Sequence, residues 1–190
     1  MSSVKSLLGQ TAIYGLPTIV GRLLNYFLVP LYTSESVFKN PADYGVISEL
    51  YAWVAFLIIL LPLGMETAFF RFFNEKEDKD AVFRSSFITV IGFNIIFFIV
   101  LLFASQSIAD AMMYSEHPEF IVLLGAIVCV DAIAALPMAK LRSENKALRF
   151  STIHFTAIAV NVGLNLFLML VVFNPEKPME GVLFILLANL

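Results

Sequence analysis

Charged residues are scarce in this chain, since Asp, Glu, Lys and Arg together make up 14% of its 190 residues. Soluble domains carry about 25% charged residues, whereas hydrophobic residues here reach 59%. The deficit of charge therefore indicates a membrane protein. The charges sum to −3 and form no basic patch with interleaved aromatic residues, so nucleic-acid binding has no support.

Cysteine is nearly absent as well. Cys129 is the only one, which excludes an intramolecular disulfide and a thiolate metal site. Its apolar neighbours Ile127, Val128 and Val130 predict a buried thiol. The sequence also has no nucleophile triad, no metal-ligand spacing and no glycine-rich phosphate loop. We therefore predict a protein that is not an enzyme, with no catalytic residues, no metal and no cofactor.

Long apolar segments are what the sequence has in abundance. Two runs without any charge, 85–109 and 150–175, each exceed the roughly 20 residues that a helix needs to cross a bilayer. We predict an all-α, polytopic transmembrane helix bundle of about six spans: 9–32, 44–70, 84–105, 119–141, 150–173 and an incomplete sixth, 181–190. The last would make about 15 Å of helix, half a bilayer. We therefore expect the N-terminal part of a longer protein.

Cationic residues alternate between the predicted loops. One set of loops holds nine of them: Lys5, Arg71, Lys76, Lys79, Arg84, Lys140, Arg142, Lys146 and Arg149. The intervening loops hold only Lys39 and Lys177. Because cytoplasmic loops are enriched in Lys and Arg, we predict a multi-pass protein with a cytoplasmic N-terminus.

Proline interrupts three of the predicted spans, at Pro17, Pro62 and Pro137. Each removes a backbone hydrogen bond and is a candidate kink. Such kinks suit a protein that rocks between two openings. Proline is also simply commoner in membrane helices than in soluble ones, and the sequence leaves both interpretations open.

Arg22 lies near the middle of the first span, where a charge costs about 2.5–3.5 kcal/mol on insertion scales. Gly15, Thr18, Arg22 and Asn25 recur at spacings of three, four and three, which places them on one helix face. We predict that Thr18, Arg22 and Asn25 line a polar cavity in which Arg22 binds an anionic ligand.

Two acidic residues are further candidates. Asp131 lies near the middle of the fourth span, at the same depth as Arg22. The two could form a static ion pair between helices, or Asp131 could take part in ion or proton coupling. Glu66 lies near the cytoplasmic end of the second span, deep enough to need a partner, and could serve coupling or an ion pair in the same way.

Asparagines also occur within the spans. Asn161 and Asn165 are four residues apart in the fifth span, so they share a helix face. Asparagine in a membrane helix often hydrogen-bonds to a neighbouring helix. We therefore favour interhelical packing for this pair, with a secondary place in the cavity as the alternative. Asn94 in the third span has no polar residue at helical spacing, and we predict a packing role for it.

Several short motifs resemble those of bacterial polysaccharide-biosynthesis flippases. They are Gly9-Gln10-Thr11 with Tyr14-Gly15, Leu28-Val29-Pro30-Leu31-Tyr32, Asp43-Tyr44-Gly45, the stretch 64–72 and the stretch 141–150. In this order, the motifs resemble the O-antigen branch of the multidrug/oligosaccharidyl-lipid/polysaccharide exporter superfamily. The resemblance covers essentially the whole chain.

The resemblance implies a two-lobed bundle of 12 to 14 helices that carries an undecaprenyl-pyrophosphate-linked oligosaccharide across the bacterial inner membrane by alternating access. Residues 1–190 would form one lobe of this MATE-like transporter, and its partners would be membrane lipids, the polyprenyl-pyrophosphate-linked glycan and a missing C-terminal lobe. Arg22 matches, by position along the first helix, the cationic cavity residues of the superfamily. The coupling ion would be Na⁺ or H⁺.

Three other functions compete with this one. A multidrug exporter of the same superfamily would favour an acidic cavity for cationic drugs, and Arg22 argues against it. A membrane-bound glycan polymerase or ligase usually needs sizeable outward loops with charged residues, whereas the outward loops here are short. A non-transporting scaffold would not need the polar face around Arg22.

Overall fold

The structure is a computed structural model that describes residues 2–33, 41–75, 78–174 and 177–190, except for the side chains of 2–12, 18, 22, 25, 31 and 41–43. The regular elements of the described residues are all helical, which confirms the predicted all-α bundle. They are α1 (Ser2–Tyr32), α2 (Pro41–Leu60), α3 (Met65–Glu75), α4 (Lys79–Ala111), α5 (Pro118–Ser143), α6 (Ala147–Phe167) with a π-helical turn at Leu168–Val172, and α7 (Pro178–Asn189).

Four of the described segments are long and apolar enough to cross a membrane, and α7 is a shorter apolar helix. The four segments are Tyr44–Glu75, Lys79–Ala111, Pro118–Ser143 and Ala147–Val172. Several helices extend beyond the predicted spans, since hydropathy marks only the apolar part of a helix. At the start of α4, for example, the Asp78 side chain accepts a hydrogen bond from the Ala81 backbone N–H at 2.9 Å, which caps the helix well before the apolar run begins.

The fifth helix, α5, lies at the centre of the bundle and packs against α2, α3, α4, α6 and α7. Half of its most apolar stretch is buried, against 11% for the corresponding stretch of α6. A helix that is hydrophobic all round belongs in an interior, and Cys129 of α5 is buried as predicted. Most of the α6 surface therefore faces outward, towards lipid or further protein.

Neighbouring spans run in alternate directions. The end of α5 meets the start of α4, where Lys140 Nζ lies 2.8 Å from Asp80 Oδ1. At the opposite end of the bundle, the Tyr114 hydroxyl donates to Glu49 Oε2 at 2.6 Å. We call the end that holds Lys140 and Asp80 the basic end, because the cationic stretches around Arg84 and Lys140 lie there. The cytoplasmic location of this end stays a prediction.

The second predicted span is interrupted, whereas the sequence predicted only a kink at Pro62. Helix α2 ends at Leu60, and α3 begins at Met65 after a four-residue turn. Pro62 has no N–H to continue the helix, and Leu63 and Gly64 have φ angles of 55° and 64°. Glycine adopts this left-handed conformation without strain, whereas a leucine does so at some cost.

Asn94 of α4 supplies a hydrogen-bond donor at this interruption. Its side chain is 1% exposed, and its Nδ2 donates to the Leu61 carbonyl at 3.5 Å and to the Val90 carbonyl at 2.8 Å. Backbone groups that a broken helix frees within a bilayer need protein partners. Asn94 therefore does more than pack, because it binds the backbone where α2 ends.

The contact between α4 and α5 packs the Leu101 side chain directly against Gly125. A Cβ atom at this position would lie 1.9 Å from Leu101 Cδ2. Small residues at membrane helix contacts permit such close approach. We expect Gly125→Leu to push the two helices apart and to lower the free energy of unfolding by about 1–3 kcal/mol, measured as a lower melting temperature in detergent.

Gly92 of α4 provides the matched control. No atom lies within 4 Å of a Cβ built there, so Gly92→Leu gains the same helix propensity without the clash. Equal melting temperatures for the two variants would contradict the close contact at Gly125.

Candidate functional site

Amide and hydroxyl groups from three helices form a hydrogen-bonded network inside the bundle. The Tyr32 hydroxyl of α1 donates to Asn165 Oδ1 of α6 at 2.7 Å. Asn161 Nδ2 of α6 donates to Asn189 Oδ1 of α7 at 2.8 Å and to the Ala188 carbonyl at 3.0 Å. Asn165 Nδ2 donates back to the Asn161 carbonyl at 3.0 Å. The two asparagines of α6 therefore link this helix to α1 and to α7.

A groove of about 610 Å³ lies beside this network. Its polar wall is formed by Asp131 of α5, Asn161 of α6 and Asn189 of α7, and Gly21 of α1 also lines it. We call it the Asp131 groove. The Asp131 side chain is exposed, and its carboxylate has no hydrogen-bond or ion-pair partner among the side chains that the structure describes. The groove therefore presents one carboxylate and two amide side chains to a ligand.

Helix α1 passes along the groove at Gly21, where an added Cβ would lie 3.2 Å from Ile158 Cδ1 of α6. The predicted cavity residues Thr18, Arg22 and Asn25 belong to the same helix. Their side chains lie outside the described residues. Their place in a cavity and the pairing of Arg22 with Asp131 therefore stay predictions.

Glu66 has a partner that the sequence did not identify. Its carboxylate forms an ion pair with the Arg142 guanidinium, which joins α3 to the end of α5 at the basic end. The guanidinium also lies over the rings of Phe70, at 5.4 Å, and Phe150, at 5.8 Å. Both charged side chains are 37% exposed. Of the two acidic candidates, Glu66 is therefore paired by a cation, whereas Asp131 has no partner among the described side chains.

A second cavity, of about 240 Å³, lies between α1, α2, α6 and α7. Its polar lining comes from three tyrosines, one serine and two asparagines: Tyr32, Tyr44, Ser48, Tyr51, Asn165 and Asn189. We call it the tyrosine cavity. The sequence did not predict this cavity, although Tyr44, Ser48 and Tyr51 recur at helical spacing and so share one face of α2.

The opposite end of the bundle holds a polar contact between the α4–α5 connection and α2. Tyr114, in the connection between α4 and α5, donates to Glu49 of α2. Burial, and then the hydrogen bond to Glu49, raise the pKa of Tyr114 to about 12. The phenol therefore stays protonated and remains a donor at physiological pH. In the described part of the chain, no three His, Cys, Asp or Glu side chains are grouped so as to hold a metal ion.

Comparison with known proteins supports the predicted family. Searches of the curated proteins and of the solved structures found no match. A family model described as polysaccharide biosynthesis protein matches residues 38–176, which is more than half of the chain. The matched range runs through α2 to α6, so it contains Glu66, Asp131, Asn161 and Asn165 but not Arg22. This membrane-spanning chain therefore belongs to the polysaccharide biosynthesis protein family.

Proposed function

We propose that the protein is a transporter and not an enzyme. It carries undecaprenyl-pyrophosphate-linked repeat units across the bacterial inner membrane by alternating access, with its N-terminus in the cytoplasm. The observation that carries this proposal is the Asp131 groove, which places one carboxylate and two amide groups on an otherwise apolar wall in the transmembrane bundle of a polysaccharide biosynthesis protein.

The polar side chains of the groove, Asp131, Asn161 and Asn189, suit a hydrophilic part of the cargo. A glycan that crosses the hydrocarbon core needs hydrogen-bonding groups at membrane depth, and polar residues there are costly unless they serve a pathway or a contact. Asn161 and Asn189 stand on the groove wall and also hold α6 against α7. The wall therefore combines hydrogen-bonding capacity with a rigid frame, which supports a cavity for sugar hydroxyls.

The two charged residues proposed for the groove have different roles, one in binding the cargo and the other in ion coupling. In this proposal Arg22 binds the pyrophosphate, because an arginine presents several N–H donors to phosphate oxygens. Asp131 is then free to bind the coupling ion, Na⁺ or H⁺. The Asp131 carboxylate, which has no partner among the described side chains, also favours one alternative, an exporter of cationic drugs from the same superfamily, in which Asp131 would bind the drug.

Removal of the gene from its host distinguishes these functions. We expect surface polysaccharide to be lost while the lipid-linked repeat unit accumulates on the cytoplasmic leaflet. Mass spectrometry of the extracted lipids measures the accumulation. A sugar-specific probe, applied to sealed vesicles of either orientation, shows in which leaflet the repeat unit lies.

Each contrary outcome has a distinct meaning. Accumulation on the outer leaflet would indicate a polymerase instead of a flippase. Intact surface polysaccharide together with lost resistance to cationic compounds would favour the drug exporter. Re-expression of the wild-type gene is the control, and it should restore both the surface polysaccharide and the lipid pool.

A further inference from the structure

The tyrosine cavity lies where the end of α1 meets the start of α2, beside α6 and α7. Tyr32 ends α1, whereas Tyr44, Ser48 and Tyr51 occupy the first three turns of α2. The cavity therefore belongs to the half of the bundle opposite the basic end. It shares one residue with the Asp131 groove, Asn189, which lines both spaces.

The lining of the cavity suits a neutral ligand. None of the described residues that line it is charged: Leu28, Val29, Tyr32, Tyr44, Ile47, Ser48, Tyr51, Asn165, Ile185 and Asn189. A pyrophosphate buried here would lack a charge partner among the described residues of the lining, which disfavours it. Hydroxyl and amide groups on an apolar wall instead match a ligand that has both hydroxyl groups and C–H surface.

The tyrosine rings provide the apolar part of such a site. The Tyr32 and Tyr44 ring centroids are 6.4 Å apart, and the ring planes are inclined by 32°. An aromatic ring has an electron-rich face, which attracts the polarised C–H groups on one side of a sugar ring. Tyrosine also adds a hydroxyl that can hydrogen-bond at the edge of the same ligand.

Two hydroxyl groups of the lining, those of Tyr51 and Ser48, have no short hydrogen bond to the described residues. The Tyr51 hydroxyl is buried, and no atom of the described residues hydrogen-bonds to it. Buried polar groups without a partner are uncommon and call for an explanation. Ser48 Oγ makes only a long contact, 3.4 Å, with the Tyr44 carbonyl. Both hydroxyls are therefore available to a ligand, whereas the Tyr32 hydroxyl is already bound to Asn165.

The size of the cavity limits the ligand further. Its volume of about 240 Å³ is below the roughly 300–1,000 Å³ of pockets that hold drug-sized ligands. The space suits one sugar ring and is too small for a whole oligosaccharide repeat unit.

We propose that the tyrosine cavity binds a single neutral sugar residue of the lipid-linked oligosaccharide, with Tyr51 and Ser48 hydrogen-bonded to its hydroxyl groups. This inference rests on the proposed transport function and adds to the Asp131 groove a second site, which holds one sugar residue of the cargo. The cavity then distinguishes a glycan-bearing lipid from the bare carrier.

The test compares two lipids on the purified full-length protein by native mass spectrometry. The probes are the lipid-linked repeat unit extracted from the producing strain and undecaprenyl pyrophosphate without sugar. We expect wild type to prefer the glycan-bearing lipid. Loss of one neutral hydrogen bond in Tyr51→Phe should reduce that preference about fivefold and leave the affinity for undecaprenyl pyrophosphate unchanged. Ser48→Ala should act in the same direction.

Tyr14→Phe is the matched control. The Tyr14 hydroxyl is also buried without a partner among the described residues, but its ring packs on Phe150 at 5.1 Å, away from the cavity. We expect this variant to keep the full preference for the glycan-bearing lipid. A Tyr14→Phe effect as large as that of Tyr51→Phe would contradict a site in the cavity.

The remaining outcomes separate the two proposals. If wild type binds both lipids equally, or if Tyr51→Phe and Ser48→Ala both keep the wild-type preference, the sugar site is wrong and the transport function stands. If Tyr51→Phe lowers the affinity for both lipids by the same factor, the cavity does not select the sugar. If wild type binds neither lipid, both proposals fail.

Discussion

Replacement of Arg22 by alanine should abolish display of the surface polysaccharide while the protein remains at normal abundance in the membrane. An arginine at the centre of a membrane helix costs about 2.5–3.5 kcal/mol on insertion scales, so its removal should not impair insertion. The variant should instead lose the cation that neutralises the pyrophosphate. Quantification of surface glycan, together with an immunoblot of the membrane fraction, measures both effects.

Arg22→Lys separates charge from geometry at the same position. Lysine keeps the positive charge but cannot form the two parallel hydrogen bonds that arginine makes with a phosphate. We expect partial display in this variant. Normal display in Arg22→Ala would show that Arg22 does not bind the cargo.

A rival role for Arg22 is to neutralise Asp131 alone. The double variant Arg22→Ala/Asp131→Ala tests it, because removal of both charges leaves neither one uncompensated. If pairing is the only role of Arg22, display should return in the double variant. If Arg22 binds the pyrophosphate, the double variant should remain as defective as Arg22→Ala. Reversal of both charges provides a second test, and restored display there would also indicate a pair.

Reversal of the charge of Arg142 should destabilise the basic end of the bundle. In Arg142→Glu a second carboxylate would lie beside Glu66, and the guanidinium would be lost from the rings of Phe70 and Phe150. Removing one partner of a fully buried pair costs about 3–5 kcal/mol. Because these side chains are 37% exposed, solvent screening reduces the expected loss in the free energy of unfolding to about 2 kcal/mol. The melting temperature in detergent measures the loss.

The swapped variant Glu66→Arg/Arg142→Glu should recover much of this stability, because it restores an ion pair between α3 and α5. Arg71→Glu is the matched control, since Arg71 is 73% exposed and pairs with Glu75 on its own helix. That reversal should change stability by about 0.5 kcal/mol. A swap that melts no higher than Arg142→Glu would contradict a direct pair between the two residues.

The sequence was sufficient to predict the class of fold. A bilayer accepts only segments of about 20 apolar residues whose backbone groups are bonded within the segment. Both runs that lack charge, 85–109 and 150–175, accordingly lie largely in helices, α4 and α6 with its π-helical turn. The same constraint makes loops recognisable as charged interruptions, so the order of the helices could be predicted. The family also followed from short motifs, and the match to residues 38–176 agrees with it.

Other local features could not be predicted from the sequence alone. Pro62 indicated a disturbance in the second span, but a proline can either kink or end a helix. The outcome depended on Gly64, which adopts a left-handed conformation, and on Asn94, which reaches the Leu61 carbonyl from another helix. Asn94 is 33 residues away in sequence, so no local pattern connected it with the turn.

By itself, the sequence determined that this chain is a membrane-spanning helical bundle of a polysaccharide biosynthesis family, because hydrophobicity acts on each segment separately. Only the tertiary structure decided which polar groups meet. Glu66 and Arg142 are 76 residues apart, and Tyr32 and Asn165 are 133 apart. Such pairs depend on how the helices rotate and pack against α5. The shapes of many side chains together determine that packing. The tyrosine cavity exists for the same reason, since it is the space that four helices leave between them.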